Sequence, residues 1–236
     1  MHTYSTSDIP FEHAVIDDYK ILNHKIQNVK AFVFDWDGVF NDGRKDIEGQ
    51  SSFSEIDAMG VNMMRFSYFL RYGVMPVTAI ITGENNPLAF SFAKREHFHS
   101  VFYKEYRKED AMIRLCEKFA LLPSETLFVF DDVLDLSAAM IAGVRCMVGR
   151  SANPLLLQFV RKFHLADYIT QHDGGNYAVR ETSEIFMMLS GNFEQTIRQR
   201  TEFSETYQHY IKQRNEISTD FFSTNHNHIN LTIVGK

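Results

Sequence analysis

Ala31-Phe32-Val33-Phe34-Asp35-Trp36-Asp37-Gly38-Val39 is the stretch whose reading decides the fold. Four apolar residues run into two carboxylates spaced two apart, and a glycine follows. So short an apolar run, ended by polar residues, is the length of a strand buried on both faces. Residues leaving a strand end alternate in direction, so Asp35 and Asp37 can point the same way.

Similar runs recur along the chain at Val77-Thr78-Ala79-Ile80-Ile81, Leu127-Phe128-Val129-Phe130 and Arg145-Cys146-Met147-Val148. Weaker ones stand at Val101-Phe102-Tyr103 and Asp167-Tyr168-Ile169-Thr170. Helical patterns separate them, at about 58–72, 86–98, 108–119, 135–142, 153–163 and 178–189. Asn86-Pro87 and Asn153-Pro154 each place a capping side chain before a first-turn proline, and Gly143 stands where the fourth helix should stop. Apolar strands alternating with helices predict an α/β fold, a doubly wound Rossmann-like parallel sheet, over residues 28–190. Residues 1–27 carry no clear period and are expected to form an N-terminal arm. Residues 191–236 are expected to be a helix and tail serving oligomerisation. The helix would span 192–215, with Phe193, Ile197, Phe203, Tyr207, Tyr210 and Ile211 near one face, and Ile229–Val234 would alternate like an edge strand.

The composition sets outer limits. The 236 residues carry 24 basic and 30 acidic side chains, a formal charge of -6, and 21 Phe with only 5 Pro. Mean hydropathy is -0.24 and the isoelectric point is near 5.9. Such a chain can bury a core and is not disordered. Its acidity, and the mixing of Arg198, Arg200, Lys212 and Arg214 with glutamates, argue against a nucleic-acid partner. No apolar run reaches the roughly 20 residues that cross a bilayer, so no membrane partner is expected. The first residues lack the basic and apolar regions of a signal peptide, and two isolated cysteines, Cys116 and Cys146, fit a reduced cytoplasmic setting.

In an open parallel sheet, ligands bind beyond the carboxyl ends of the strands. The first run ends in Asp35 and Asp37, the second in Thr82-Gly83, and the run at 127–130 in Asp131-Asp132 with Asp135 close behind. Lys108 opens the helix before that strand. Singly, each of these residues is an ordinary turn former, cap or solvated lysine. Together they bring five carboxylates, a hydroxyl and a lysine to one rim. Like charges so packed need a compensating cation, for which Mg²⁺ is suited because it takes one or two carboxylates together with phosphate oxygens.

This order of motifs resembles the haloacid dehalogenase (HAD) phosphohydrolases. Phe34-Asp-Trp-Asp-Gly-Val-Phe-Asn-Asp-Gly43 and Asp173-Gly-Gly-Asn-Tyr-Ala-Val-Arg-Glu181 resemble the capless branch typified by 3-deoxy-manno-octulosonate 8-phosphate (KDO 8-phosphate) phosphatases. The resemblance implies Asp35 as the nucleophile, Asp37 as the general acid/base, Thr82 as the hydroxyl holding the phosphoryl group and Lys108 as the neutralising cation. It implies Mg²⁺ held by Asp35, Asp131 and the backbone carbonyl of Asp37, with Asp132 and Asp135 behind them. The substrate class implied is a small phosphorylated metabolite. The stretches between Asp35 and Thr82, and between Thr82 and Lys108, are too short for a cap domain. The branch instead closes its site in a homo-oligomer, a tetramer, through a β-hairpin after the first strand. Here that hairpin would be about 44–56, with Glu48-Gly49-Gln50 as its turn.

The sequence departs from the branch at its basic substrate contacts. Ile56, Asn62, Glu84 and Phe92 stand where positive side chains are usual, and Phe130 replaces a glycine before the Asp131-Asp132 pair. Each lost charge-assisted contact is worth roughly 1.5–3 kcal/mol. Either the substrate differs from KDO 8-phosphate, or the alignment around the hairpin is shifted by a residue or two. A ring at 130 would stand near the metal site. Loss of these contacts also fits a weakly catalytic or non-enzymatic assembly protein of the same fold. His97-Phe-His99, His226-Asn-His228 and Gly174-Gly175 are read as incidental pairs and a loop turn.

Overall fold

The computed structural model describes residues 10–49, 51–225 and 228–231. The deciding stretch forms β2 (Ala31–Phe34), which pairs in parallel with β3 (Val77–Ile81) on one side and β5 (Thr126–Phe130) on the other. Outward from these lie β4 (Ser100–Tyr103), β6 (Val144–Met147) and β7 (Tyr168–Ile169). A short β1 (Val15–Ile16) runs antiparallel to β7, and β8 (Asp220–Asn225) joins β4 in parallel, with β9 (His228–Leu231) antiparallel beyond it. The sheet order among the described residues is β1-β7-β6-β5-β2-β3-β4-β8-β9. Because the chain goes from β2 outward through β3 and β4 and then returns to β5, the strand order reverses beside β2. That reversal opens a crevice at its carboxyl end.

Alternation along each strand divides the core. Phe32, Phe34, Leu127 and Val129 pack on one face, under α2 (Glu55–Tyr72) and α7 (Ala178–Leu189); Val33, Ala79, Phe128 and Phe130 pack on the other, under α4 (Lys108–Lys118) and α5 (Leu136–Ile141). Phe130 is therefore a core residue. Its ring is fully buried and stacks on Phe128 at 5.6 Å, so it does not reach the rim where Asp131 begins.

The remaining helices are α1 (Tyr19–Ile26), α3 (Pro87–Arg95), α6 (Pro154–Lys162), α8 (Phe193–Thr201) and α9 (Glu205–Asn215). Several local expectations are corrected. Asn86 caps α3 as expected, accepting from the Leu88 amide, but Asn153 makes no cap bond to α6 and its Oδ1 is buried without a partner. Its ψ of 56° lies outside the extended conformation from which a capping side chain reaches the first turn. Gly143 does not cap the fourth helix, which ends at Ile141. A Cβ at Gly143 would lie 1.9 Å from the Ser124 carbonyl, so close approach explains the glycine. The segment read as an arm enters the fold from Val15 onward, and Leu22 and Ile26 of α1 are buried. The single helix expected over 192–215 is two helices. Phe203, at φ +49°, breaks it, and Ser204 caps α9 through the Tyr207 amide. Tyr207 and Tyr210 then pack with Phe66 and Phe69 of α2. Of the expected edge strand, 229–231 fall in β9 and 232–234 lie outside the described residues.

The hairpin expected at 44–56 is also absent among the described residues. Residues 44–49 and 51–54 contain no strand, and the chain turns at Gly49 (φ +77°), whose amide donates to the Asp46 carbonyl. Arg44, Lys45, Asp46 and Glu48 supply no apolar alternation to zip two strands together. Gln50 of the expected turn lies outside the described residues.

Candidate active site

Asp35 leaves the end of β2 at the crevice, with its amide still paired to the Val129 carbonyl of β5. The backbone then turns sharply at Gly38 (φ +86°). A Cβ there would stand 2.1 Å from Asp131 Oδ2, so glycine alone lets the loop after β2 approach the loop after β5. Gly174 serves the same loop from the other side: a Cβ on it would lie 1.9 Å from the Gly38 carbonyl. The glycine pair at 174–175 is thus a packing device against residues 38–42, as its reading as a turn implies.

A cavity of about 280 Å³ opens at this rim, lined by Asp35, Asp37, Thr82, Lys108, Asp131, Asp132 and Asp135. All seven residues singled out in the sequence meet there. Lys45, Tyr106 and Arg150 also line it. Lys108, in the first turn of α4, leans back past the helix start, as helical side chains do, and reaches the rim. The helix dipole opposes an ammonium at that end. Asp35 Oδ1 at 2.6 Å and Asp135, also in contact, offset this. Asp135 is held in turn by the amides of Asp131 and Asp132, both donating to its Oδ2. Asp132 is exposed and caps the single helical turn that follows, through the Val133 amide.

The charge balance is uneven. Asp35, Asp131 and Asp135 are all buried, with ligand oxygens within 4.8 Å of one another. Burial and the neighbouring Asp135 push the Asp35 carboxyl well above its ordinary range against the pull of Lys108. The same two causes, opposed by Arg150, push Asp131 up to about 7. Burial works against the Lys108 ammonium, yet Asp35 and Asp135 outweigh it and raise its pKa. Three crowded, hard oxygen donors that resist ionising together fit a small divalent cation, which would relieve their repulsion.

Thr82 is buried at the end of β3, and its hydroxyl accepts from the Glu84 amide. Asp37 stands between Ser51 Oγ, which donates to Oδ1 at 2.6 Å, and Lys45 Nζ, 3.4 Å from Oδ2. Arg150 Nη2 lies 2.8 Å from Asp131 Oδ2 and donates to the Gly38 carbonyl at 3.1 Å. Ser51, Lys45 and Arg150 were missed in the sequence. Arg150 could have been found, because it follows the run ending at Val148 and so passes the same strand-end test.

The positions expected to have lost substrate contacts separate. Glu84 lines the cavity; Ile56, Asn62 and Phe92 do not. Phe92 is fully buried among Trp36, Phe40, Phe53 and Phe98. Asn62 is buried beside Tyr210, whose hydroxyl donates to the Asn62 carbonyl, and Ile56 is exposed at the start of α2. Of the histidine pairs, His226 lies outside the described residues, and the His97 and His99 rings meet backbone groups. His99 Nδ1 accepts from the Thr78 amide, and the His97 ring faces the Ile217 carbonyl.

KDO 8-phosphate phosphatase KdsC of Escherichia coli K12 is 28% identical over 173 residues, 72% of this chain and 86% of that protein. The crystal structure of the Moraxella catarrhalis KDO 8-phosphate phosphatase, in complex with magnesium, phosphate and KDO, superposes with a TM-score of 0.63 at 27% identity. It covers 77% of this chain and 98% of its own. In sequence and in fold the chain is similar to KdsC-like phosphatases of the haloacid dehalogenase superfamily. A Legionella pneumophila structure bearing the HAD superfamily (subfamily III A) name shares the fold, with TM-score 0.64 at 24% identity over 78% of this chain and 95% of its own. No protein-family model matches the sequence. Members of this superfamily are α/β proteins with a mostly parallel central sheet, as here.

Proposed function

We propose that this HAD chain is a Mg²⁺-dependent phosphomonoester hydrolase acting on a small phosphorylated metabolite, a sugar phosphate. The observation that carries the proposal is the convergence at the β2 terminus. A buried, lysine-paired aspartate (Asp35) faces two further buried carboxylates, with Asp37 and Thr82 in the same cavity. The Mg²⁺ ion would be held by Asp35, Asp131 and the Asp37 carbonyl, with Asp135 behind them. Bound there, it supplies Lewis-acid charge to the phosphoryl oxygens.

In this reading Asp35 attacks phosphorus through a carboxylate oxygen as the ester P–O bond breaks. The leaving alkoxide takes its proton from the Asp37 carboxyl. Lys108, together with the cation, would favour the ionised form of Asp35 against burial and Asp135, and Lys108 pulls charge from the transferring group while Thr82 holds its oxygens. Asp37, now a carboxylate, then takes a proton from water. The resulting hydroxide attacks phosphorus, inorganic phosphate leaves, and Asp35 is restored.

Two cations at the cavity, Lys45 and Arg150, partly offset Glu84, and their placement supports an anionic ligand. The wide distribution of Ile56, Asn62 and Phe92 gives this chain a different contact set from the one its branch implies, so KDO 8-phosphate belongs on a panel and not at its head. The burial of Phe130 away from the cavity removes one reason to read the chain as inactive. Phosphate release from a panel of phosphorylated sugars, with and without Mg²⁺, tests the proposal. Mg²⁺-dependent turnover that Asp35→Asn abolishes is expected. No release from any panel member would favour the non-enzymatic assembly role, and metal-independent release that survives Asp35→Asn would overturn the mechanism.

A further inference from the structure

Ser51 lies in the irregular stretch before α2, yet it is almost fully buried, and four polar side chains converge on its one hydroxyl. Trp36 Nε1 stands 3.2 Å from Ser51 Oγ, Asn41 Nδ2 3.2 Å, Asn86 Nδ2 2.6 Å and Asp37 Oδ1 2.6 Å. The direction of each bond follows from chemistry. Indole nitrogen can only donate. The Asn41 amide is oriented by its other end, because its Oδ1 accepts from the backbone amides of Gly38 and Gly43. The Asn86 amide is fixed in the same way, by the Leu88 amide donating to its Oδ1 as the cap of α3. Three nitrogen donors therefore share the two lone pairs of Ser51 Oγ, Asn86 at the shortest distance, and the single Ser51 proton has one acceptor, Asp37 Oδ1.

We propose that Ser51 is the positioning residue of Asp37: it fixes the rotamer of that carboxyl so that its other oxygen, Oδ2, faces the leaving group. The inference rests on the phosphatase reading above. Oδ2 lies on the Lys45 side, and Asp37 retains a share of exposure that Asp35 lacks. Hydrogen bonds running one way through a shared atom strengthen one another, and here they run from three rigid donors into a single carboxylate oxygen. Each donor belongs to a different part of the fold: Trp36 to the loop after β2, Asn41 to the turn beyond it, Asn86 to the cap of α3. The network thus ties the reacting loop to the helix that follows β3, and it supplies a physical reason for a serine at 51.

The role makes a chemical distinction that packing alone would not. An alkyl leaving group needs the proton from Asp37 as it departs; p-nitrophenolate departs without one. The ratio kcat/KM reads only the steps up to departure of the leaving group, so the part played by Asp37 in the later hydrolysis does not enter it. Wild type, Ser51→Ala and Ser51→Thr are compared on glucose 6-phosphate and p-nitrophenyl phosphate, with thermal melts to show that each is folded. Ser51→Ala should lose about 30-fold in kcat/KM on the sugar phosphate and less than about 3-fold on the aryl ester, a part of the roughly 10²–10⁴-fold that general-acid catalysis contributes. Ser51→Thr, which keeps the hydroxyl, should recover most of the loss. If the alanine variant does not fold, Ser51→Cys, close in shape and a weak donor, is expected to show the same selective loss. Equal losses on both substrates, or no loss on either, would overturn the inference while leaving the phosphatase reading intact. A wild type that cleaves neither of these substrates nor any phosphorylated sugar of the panel would overturn both.

Discussion

Asp35 and Asp167 are both buried aspartates at the rim of the same sheet, and they are built in opposite ways. Asp167 lies at the amino end of the parallel strands, just before β7. Its two oxygens accept from the Arg145 backbone amide, from Nε and Nη2 of the Arg145 guanidinium and from Lys25 Nζ, at 2.7–3.0 Å. Burial alone would push its carboxyl up, but Arg145 and Lys25 outweigh burial and hold it below the ordinary carboxylate range. Asp35 lies at the carboxyl end of β2 with one cation, Lys108, shared with Asp135, and its carboxyl is pushed the other way. A saturated carboxylate is a structural joint. An under-neutralised one at the open end of a sheet is suited to take a cation, and the proposed function gives it the attack on phosphorus.

Exchange of charge at the two sites should therefore separate activity from stability. The largest effect is expected for Asp35→Asn, with phosphatase turnover down by on the order of 10⁴-fold or more and little change in the thermal midpoint. A large drop in melting temperature would mean that Asp35 is structural after all. Asp167→Asn should do the reverse. Leaving Arg145 and Lys25 without their buried partner should cost about 3–5 kcal/mol of stability, read by denaturant titration, with kcat per folded molecule nearly intact. Millimolar Mg²⁺ should raise the melting temperature of wild type, by the roughly 1–3 kcal/mol that a bound ligand in excess contributes, and fail to do so in Asp131→Asn. An equal shift in both would remove Asp131 from the metal site.

The smallest effect concerns a third buried carboxylate, intermediate between the two. Asp57 Oδ1 accepts from the Arg180 amide at the start of α7, but Oδ2 has no partner, and burial pushes the carboxyl up to about 6. A carboxyl raised on folding favours the native state while it is protonated. Its contribution is complete below the unfolded value near 4 and is lost as pH rises through about 6. Asp57→Asn keeps the acceptor without the charge. It should therefore be more stable than wild type by roughly 1–2 kcal/mol at pH 7, and the difference should close toward pH 4. Melting curves between pH 4 and 8 measure this, and a gap that widens on acidification would contradict it.

The candidate rim was legible because each of its residues abuts a strong local signal. Asp35, Thr82 and Asp131 end apolar strands, and Lys108 opens a periodic helix. The parallel core was legible for the same reason. What failed was set by contacts distant in sequence. Ser51 gains its meaning from Trp36 and Asn41 in the loop after β2 and from Asn86 at the cap of α3. β1 is two residues long, too short to show a period, and is defined by its pairing with β7. Phe130 was expected near the metal because it precedes Asp131, but strand alternation points the two side chains to opposite sides. The missing hairpin followed from the resemblance alone, without apolar alternation in residues 44–54 to support it.

The most direct test of Asp35 as the reactive carboxylate is to trap the protein during turnover. Protein mixed with a phosphorylated sugar that it hydrolyses, in Mg²⁺, is quenched in acid within a single turnover and mapped by mass spectrometry. One phosphoryl group on the peptide containing Asp35, absent in Asp35→Asn, is the expected result. Phosphate released with no labelled aspartate, or with the label on another residue, would contradict it.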